Sequence, residues 1–287
     1  NVTVYSADLT IFFTATSRFF VDIVGTLNST DLPVGVAVGS ITQVVIGTAV
    51  TSIGERTFQD ATALTSITIP TSVTSIGPNA FEDAGLTSIY IPNTITSIGK
   101  EAFRDATSLT SVTFESDSNL NTIGDGAFRN TRFTSFDIPA SVTIIGNYAF
   151  WEATALTSIT IPSGVTIIKH KTFHSAISLI SITIPNSVIR IADRAFQNTS
   201  SLISINIPSS VTSIGVGAFT GAESLTSVDV DGDNTEYTSM DGVLFDKQLL
   251  LLIKYPEGNP ATSYTIPNTV TSIGSSAFYG ATSLTSI

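Results

Sequence analysis

The 287-residue sequence contains no cysteine, one methionine, one tryptophan and only two histidines. The missing thiols exclude a disulfide framework, a thiolate-held metal and a cysteine nucleophile. They leave the compartment open, because a large core can be secreted without cross-links. Charge is scarce as well, at 12% Asp, Glu, Lys and Arg against about 25% in an average domain. What charge there is sums to −11, with a pI near 4.4. No excess of basic residues exists to displace phosphate counterions, which argues against a nucleic-acid partner and against docking on anionic lipid. Long apolar runs are missing too. The longest, Leu249 to Ile253, is five residues, far short of the ~20 that span a bilayer, so no membrane insertion is expected. The chain opens Asn1-Val2-Thr3 without methionine or a basic leader segment, as expected of a processed or trimmed start.

What remains is apolar content of 42% and a surface built from serine and threonine, and it is arranged periodically. Leu64 to Pro70 reads LTSITIP and recurs at Leu86, Leu156, Leu179 and Leu202, with weaker copies at Ile41, Leu109, Phe133, Leu225 and Ala261. A second block, Val73-Thr-Ser-Ile-Gly77 followed by Ala80-Phe81, returns after each first block. Copies are 22 to 24 residues apart, except for 36 between Leu225 and Ala261, and a last copy starting at Leu284 is cut short, so the natural chain is expected to continue. A fixed period of this length marks a stacked-repeat architecture.

One unit reads in physical terms. Ile67 and Ile69 alternate with Ser66 and Thr68, the pattern of a strand with one buried face. Pro70 has no N–H for a ladder and ends it. Val73 and Ile76 point a second extended segment inward, Gly77 permits a sharp turn, and Ala80-Phe81 is predicted to carry a short 3₁₀ or helical turn. The rings of Phe58, Phe81, Phe103, Phe128, Phe150, Phe173, Phe196, Phe219 and Phe278 are expected to stack as one internal column. Ordering about 23 residues at roughly 1–2 kcal/mol each exceeds what about six buried side chains return at roughly 1.5–3 kcal/mol apiece. A unit is therefore stable only against its neighbours.

The blocks Ile69-Pro-Thr-Ser-Val-Thr-Ser-Ile-Gly77 and Ala80-Phe81 closely resemble the repeat of BspA-like leucine-rich-repeat proteins, and the likeness covers most of the chain. Tyr237 to Phe245, with Tyr255-Pro256, is similar to that family's longer variant unit. One departure is systematic: the family's cysteine after Ala-Phe is here Ala61, Ala84, Ala106, Thr131, Ala153, Ala176, Thr199, Ala222 and Ala281. The fold expected is a mainly β, curved leucine-rich-repeat solenoid of about ten 22–24-residue units, with the short turns on its convex side. The organisation expected is an N-terminal β cap or assembly segment over residues 1–40 and a solenoid over residues 41–287. The 225–260 insertion should form a strand, an acidic loop and a hairpin with strands Val243–Phe245 and Leu249–Ile253 about Asp246-Lys247-Gln248.

No catalytic constellation emerges. His170 and His174 sit among Lys169 and Lys171 without a carboxylate nearby, and read as exposed turn residues. Asp229, Asp231 and Asp233 alternate like calcium ligands, but the glycine and the twelfth loop position are wrong, so an acidic turn is the leading reading. The outward strand columns, Ser66 through Ser227 and Thr68 through Asp229, form a neutral hydroxyl face. Tyr90, Asp137, Asn206 and Asp229 break its monotony and are the binding residues expected on a concave face. Trp151 stands apart, on the exposed position after each core phenylalanine, where aromatic anchors favour contacts. The resemblance implies a surface location. The function expected is a non-catalytic, cofactor-free extracellular module for adhesion to a protein or polysaccharide. The alternative is a structural subunit of a surface filament, layer or fibre that associates with itself.

Overall fold

The computed structural model describes residues 3–6, 9–14, 18–32 and 37–287, with side chains from Ile23 onward. It contains two compact units, residues 1–150 and 151–287, each a parallel β-solenoid made of the repeats. The cap or assembly segment expected over residues 1–40 lies partly outside the described residues.

In the first unit, Thr3–Ser6, Leu9–Thr14 and Arg18–Ile23 form an antiparallel meander. Arg18–Ile23 then runs parallel to Gln43–Ile46, which pairs with Ile67–Thr68. A second column stacks Gly25–Leu27, Val50–Ile53, Ser75–Ile76, Ser97–Ile98, Thr122–Ile123 and Ile144–Ile145 in parallel order. Parallel pairing therefore begins at residue 18, ahead of the recognisable repeat. In the second unit Ser158–Thr160 pairs with Ser181–Thr183, and Ser204–Ile207 with Ser227–Val230. Its second column stacks Ile167–Ile168, Arg190–Ile191 and Ser213–Ile214.

The alternation read from sequence sets the burial. Ile67, Ile69, Val73 and Ile76 are buried, and Ser66 and Thr68 between them are exposed. The aromatic column forms within each unit: centroids of Phe58, Phe81, Phe103, Phe128 and Phe150 follow one another at 5.2–5.9 Å with nearly parallel rings. Phe173, Phe196 and Phe219 repeat this in the second unit at 5.5 and 5.9 Å. The slot of the absent cysteine is buried from Ala61 to Ala222. Thr131 and Thr199 fit there because each hydroxyl donates to a carbonyl of its own turn, Phe128 O and Phe196 O, at 2.8 Å.

Two local expectations change. The Ala-Phe segments are open turns rather than helical ones, and the only 3₁₀ helices among the described residues are Ser29–Asp31 and Val38–Ser40. Each turn holds two residues at positive φ, such as Arg56 and Asp60 or Asn79 and Asp83, and a left-handed residue ends helical propagation. The glycine that closes most second strands is there for proximity, not for φ. A Cβ on Gly77 would lie 2.7 Å from the backbone of Gly54, and one on Gly99 at 2.7 Å from Gly77. The second unit carries Lys169 and Ala192 at the same place.

Turn backbones bond from coil to coil as well. Arg56 N–H donates to Pro78 O, Phe58 N–H to Ala80 O and Asp60 N–H to Glu82 O at 2.8–2.9 Å, and the triplet recurs at Arg194, Phe196 and Asn198. Threonine hydroxyls add a parallel series, with Thr87 reaching Thr65 O and Thr110 reaching Thr87 O at 3.1–3.2 Å.

The 225–260 insertion interrupts this order. Tyr237–Met240, Val243–Asp246 and Leu251–Lys254 form an antiparallel sheet, and Leu251–Lys254 then pairs in parallel with Ser272–Ile273. The last strand starts at Leu251, two residues later than expected. Leu249 takes a positive φ in the turn, and Asp246 Oδ1 accepts the N–H groups of Leu250 and Leu251 at 2.7 Å. Leu252 is in register with Ile273, and Tyr255 stacks on Phe278 at 5.4 Å. Tyr255 thus occupies the phenylalanine place, three residues after the strand position (255 − 252) where Phe278 follows by five (278 − 273). The turn is two residues short, and no ring stack joins Phe219 to Tyr255 among the described residues.

Side chains repair one end of that shortfall. Gly221 N–H, whose counterparts donate to the next coil's backbone, donates instead to Glu257 Oε1 at 2.8 Å. The same oxygen takes Lys254 Nζ at 2.7 Å, and Lys254 also donates to Tyr279 O at 3.3 Å. Both charged residues are buried, at 4% and 3% exposure; burial pushes the Lys254 ammonium down from its usual range, and Glu257 opposes that. Breaking a buried pair from one side leaves an uncompensated charge, so Lys254→Met is expected to cost roughly 3–5 kcal/mol in urea unfolding. Phe103→Ala, which empties a ring position between two stacked neighbours, is expected to cost about 3–5 kcal/mol by the same measurement. A loss under about 1 kcal/mol would show that the column contributes little.

Candidate functional site

The outward residues of the first strand column form a continuous exposed row within each unit. In the first unit Ser88 is in register with Ser111 and Tyr90 with Thr113. Asp137 follows the short strand Ser135–Phe136 and is exposed. In the second unit Ser204 is in register with Ser227 and Asn206 with Asp229. Tyr90 is 49% exposed, a large aromatic surface among hydroxyls. Asn206 and Asp229 sit side by side on adjacent strands, a pair that offers amide and carboxylate groups to one ligand. Of the expected binding residues, therefore, the strand register joins Asn206 to Asp229 and places Tyr90 beside Thr113.

The row differs from the threonines next to it. Thr65, Thr87 and Thr110 stand one residue earlier and belong to the hydroxyl-to-carbonyl series between coils. Ser66, Ser88, Ser111, Thr68 and Thr113 make no such side-chain bonds, whereas Ser227 donates to Asp229 Oδ2 at 3.0 Å. Sequence alone gave both sets the same hydroxyl. The geometry divides them into a structural column and a column whose donors and acceptors face outward.

Trp151 lies off this row, on the turn after Phe150. It is half-buried, meets the ring of His174 edge-on at 5.6 Å, and has Lys171 Nζ 5.3 Å from its ring centre. His170 and His174 are half-buried rather than exposed, and His174 Nδ1 shares a hydrogen bond with Ser175 Oγ at 2.8 Å.

The acidic candidates do not converge on a cation. Asp229 is tied to Ser227, and Asp231 Oδ1 accepts the N–H of Asp233 at 3.0 Å, an Asx-type turn. The organiser of this loop is Asn234, which the sequence reading passed over. It is 1% exposed, donates to Pro208 O and Val211 O at 2.8 and 3.0 Å, and accepts from Glu236 N–H and Tyr237 N–H. Its signal was an asparagine directly after an acidic turn, on a chain that must leave one sheet and start another.

Elsewhere, Glu82, Asp83 and Asp105 are the one group among the described residues that brings three carboxylates within 4.8 Å. Arg104 bonds two of them, Glu82 at 3.2 Å and Asp105 at 2.8 Å, and also reaches Glu101 at 3.2 Å. Burial raises Asp105, and the hydrogen bonds from Arg104 and Asn130 outweigh it, leaving the group below its usual range. Burial and the neighbouring carboxylates of Asp105 and Asp60 raise Asp83. This is a cross-coil ion network built from side chains alone.

Burial, and then the charge of Lys171, hold His174 below its ordinary value of 6.5. Protonation thus favours the unfolded chain. The stability tied to neutral His174 is present above about pH 6.5 and is lost as pH falls through the lower folded value. Trp151 is the sole tryptophan, so its fluorescence should titrate with a midpoint below 6.5 that disappears in His174→Gln. A midpoint at or above 6.5 would contradict this environment.

Comparison with known proteins agrees with this architecture. The family model for the BspA type leucine rich repeat region matches residues 37–157, 143–259 and 255–287. Comparison with curated proteins found no match. Among solved structures, a leucine rich cell surface protein from Faecalibacterium prausnitzii is 27% identical with a TM-score of 0.62, covering 100% of this chain and 76% of its own. The pneumococcal vaccine antigen PcpA is 22% identical with a TM-score of 0.49, covering 96% of this chain and 62% of its own. A leucine-rich repeat protein from Eubacterium ventriosum is 22% identical with a TM-score of 0.35, and 62% of it is spanned. With the matched segments running almost from end to end over the observed coils, the chain belongs to the BspA type leucine-rich-repeat family.

Proposed function

We propose that the chain is a non-catalytic extracellular surface module that binds a protein or a polysaccharide through the outward face of its first strand column. The observation that carries this reading is the exposed row within each unit, where outward hydroxyls accompany Tyr90 and Asp137 in the first and the Asn206–Asp229 pair in the second. Such a row offers many weak, regularly spaced hydrogen bonds, which suits an extended ligand. The aromatic supplies an apolar anchor. A surface location is supported by the cell surface protein among the similar structures. Among the described residues no helix is long and apolar enough to cross a membrane.

Low charge density is consistent with this use. A face of hydroxyls pairs with sugar hydroxyls or peptide amides without losing affinity as salt rises, because little of the interaction is Coulombic. Trp151 is left out of the face, since the row lies on the strands and Trp151 on a turn.

The test is a screen of immobilised polysaccharides and extracellular-matrix proteins, followed by titration of the best binder against Tyr90→Ser/Asp137→Ser and Asn206→Ser/Asp229→Ser. Each double variant replaces exposed residues with the one that predominates in the neighbouring row, so thermal midpoints should stay within about 2 °C of the parent. At least one double variant is expected to bind about tenfold more weakly. Unchanged affinity in both would remove the strand face as the binding surface.

A further inference from the structure

The short turn of the 225–260 coil leaves a place where a rung of backbone is missing. Ile214 to Thr220 form one wall and Gly274 to Ser276 the other, around a cleft of about 410 Å³. That volume lies in the range of peptide and small-molecule sites. One end is closed by Tyr237, whose hydroxyl accepts Ile214 N–H at 2.9 Å. The other is closed by Glu257, which takes Gly221 N–H, and by Lys254, which donates to Tyr279 O. Three side-chain groups thus replace the outermost bonds of the absent rung.

Between those ends the coil's own backbone makes one bond, Tyr255 N–H to Ala277 O at 2.9 Å, and leaves the others unmade. In the preceding coil Arg194 N–H and Phe196 N–H donate to Val216 O and Ala218 O. Their counterparts one coil on, Gly217 N–H and Phe219 N–H, have no acceptor among the described residues. On the opposite wall Ser275 O, the counterpart of Val216 O, receives no donor. Phe219 is buried as a residue and its backbone lines the cleft, and amides left without a protein partner favour a ligand that supplies one. The walls carry Glu236 and Asp246, and the one basic group in the lining, Lys254, is already paired with Glu257.

We propose that this cleft binds a short extended peptide segment carrying a lysine or arginine, which enters as the missing rung. Two carbonyls two residues apart, the spacing of Val216 and Ala218, would accept Gly217 N–H and Phe219 N–H, and a peptide N–H would donate to Ser275 O. This is strand addition at an internal gap instead of at a sheet edge. Asp246 accepts backbone N–H groups and Glu236 a threonine hydroxyl, but neither carboxylate is in an ion pair among the described residues, so their charge selects a basic side chain and disfavours an anionic ligand. The site is separate from the strand face above, and its success or failure is independent of that reading.

The experiment is amide NMR of the full chain titrated with acetylated, amidated Ala-Arg-Ala-Gly and, separately, Ala-Glu-Ala-Gly. The arginine peptide is expected to shift the Gly217 and Phe219 amide protons downfield to saturation and to bind at least tenfold more tightly than the glutamate peptide. Glu236→Lys, at an exposed position, should weaken the arginine peptide about tenfold while the rest of the spectrum superimposes. Unmoved amides at millimolar peptide, equal binding of the two peptides, or saturable shifts of the same amides by maltose would each overturn the proposal.

Discussion

The hydrogen bond from one coil to the next is the constraint on which every other feature rests. A single regular coil cannot stand alone, because its strands are only two to four residues long and pair only with strands of neighbouring coils. Ladder bonds form only if successive backbones run parallel at strand spacing, about 4.8 Å. That requirement fixes the repeat length, since each coil must return its strands and its turn to the same place above the last. It also fixes the small residues. Glycine at 54, 77, 99 and 124 lets backbones approach where a Cβ would collide, and alanine or threonine fills the buried slot behind each ring.

The side chains follow from the same stacking. Flat rings placed once per coil come into contact at 5.2–5.9 Å, so phenylalanine serves as a continuous apolar filler that needs no partner for a polar tip. Tyrosine replaces it at Tyr255, where the coil is two residues shorter and the ring stacks only toward Phe278. Charges are tolerated where they can bond between coils, as Arg104 does among Glu82, Glu101 and Asp105. They are otherwise sparse because identical positions in successive coils lie side by side, and a repeated charge would repel itself. Serine and threonine carry no such penalty, and threonine also suits strands.

This explains what could be read in advance. The strand positions, the buried isoleucines, the ring column and the family were legible because each is written many times over in one period. Features that occur once were not. Asn234 is buried only because the chain must pass from the Ser227–Val230 strand into a new sheet, and nothing local distinguishes it from the exposed Asp233. The threonine columns were indistinguishable by type, since Thr65 and Thr68 differ only in which of them points along the ladder. The role of Gly77 was misjudged for a related reason: a turn glycine and a close-approach glycine look alike until the neighbouring coil is in place.

The proposed binding residues share that difficulty, and the physics of the repeat says where such residues must be sought. Stability constrains the inward positions and the coil-to-coil bonding positions, leaving the outward strand row free to vary. Deviations on that row, such as Tyr90 for threonine or Asn206 beside Asp229, contribute little to packing and are therefore available for recognition. The 225–260 coil deviates in the opposite sense, since it breaks the ladder itself. Its breakage is not repaired uniformly: Tyr237, Lys254 and Glu257 restore the ends with side chains while Gly217 N–H, Phe219 N–H and Ser275 O stay open between them. A sequence that only tolerated a shortened turn would have little need of a buried ion pair to hold the two walls apart. That pair instead ties Gly221 on one wall to Tyr279 on the other, fixing one end of the gap.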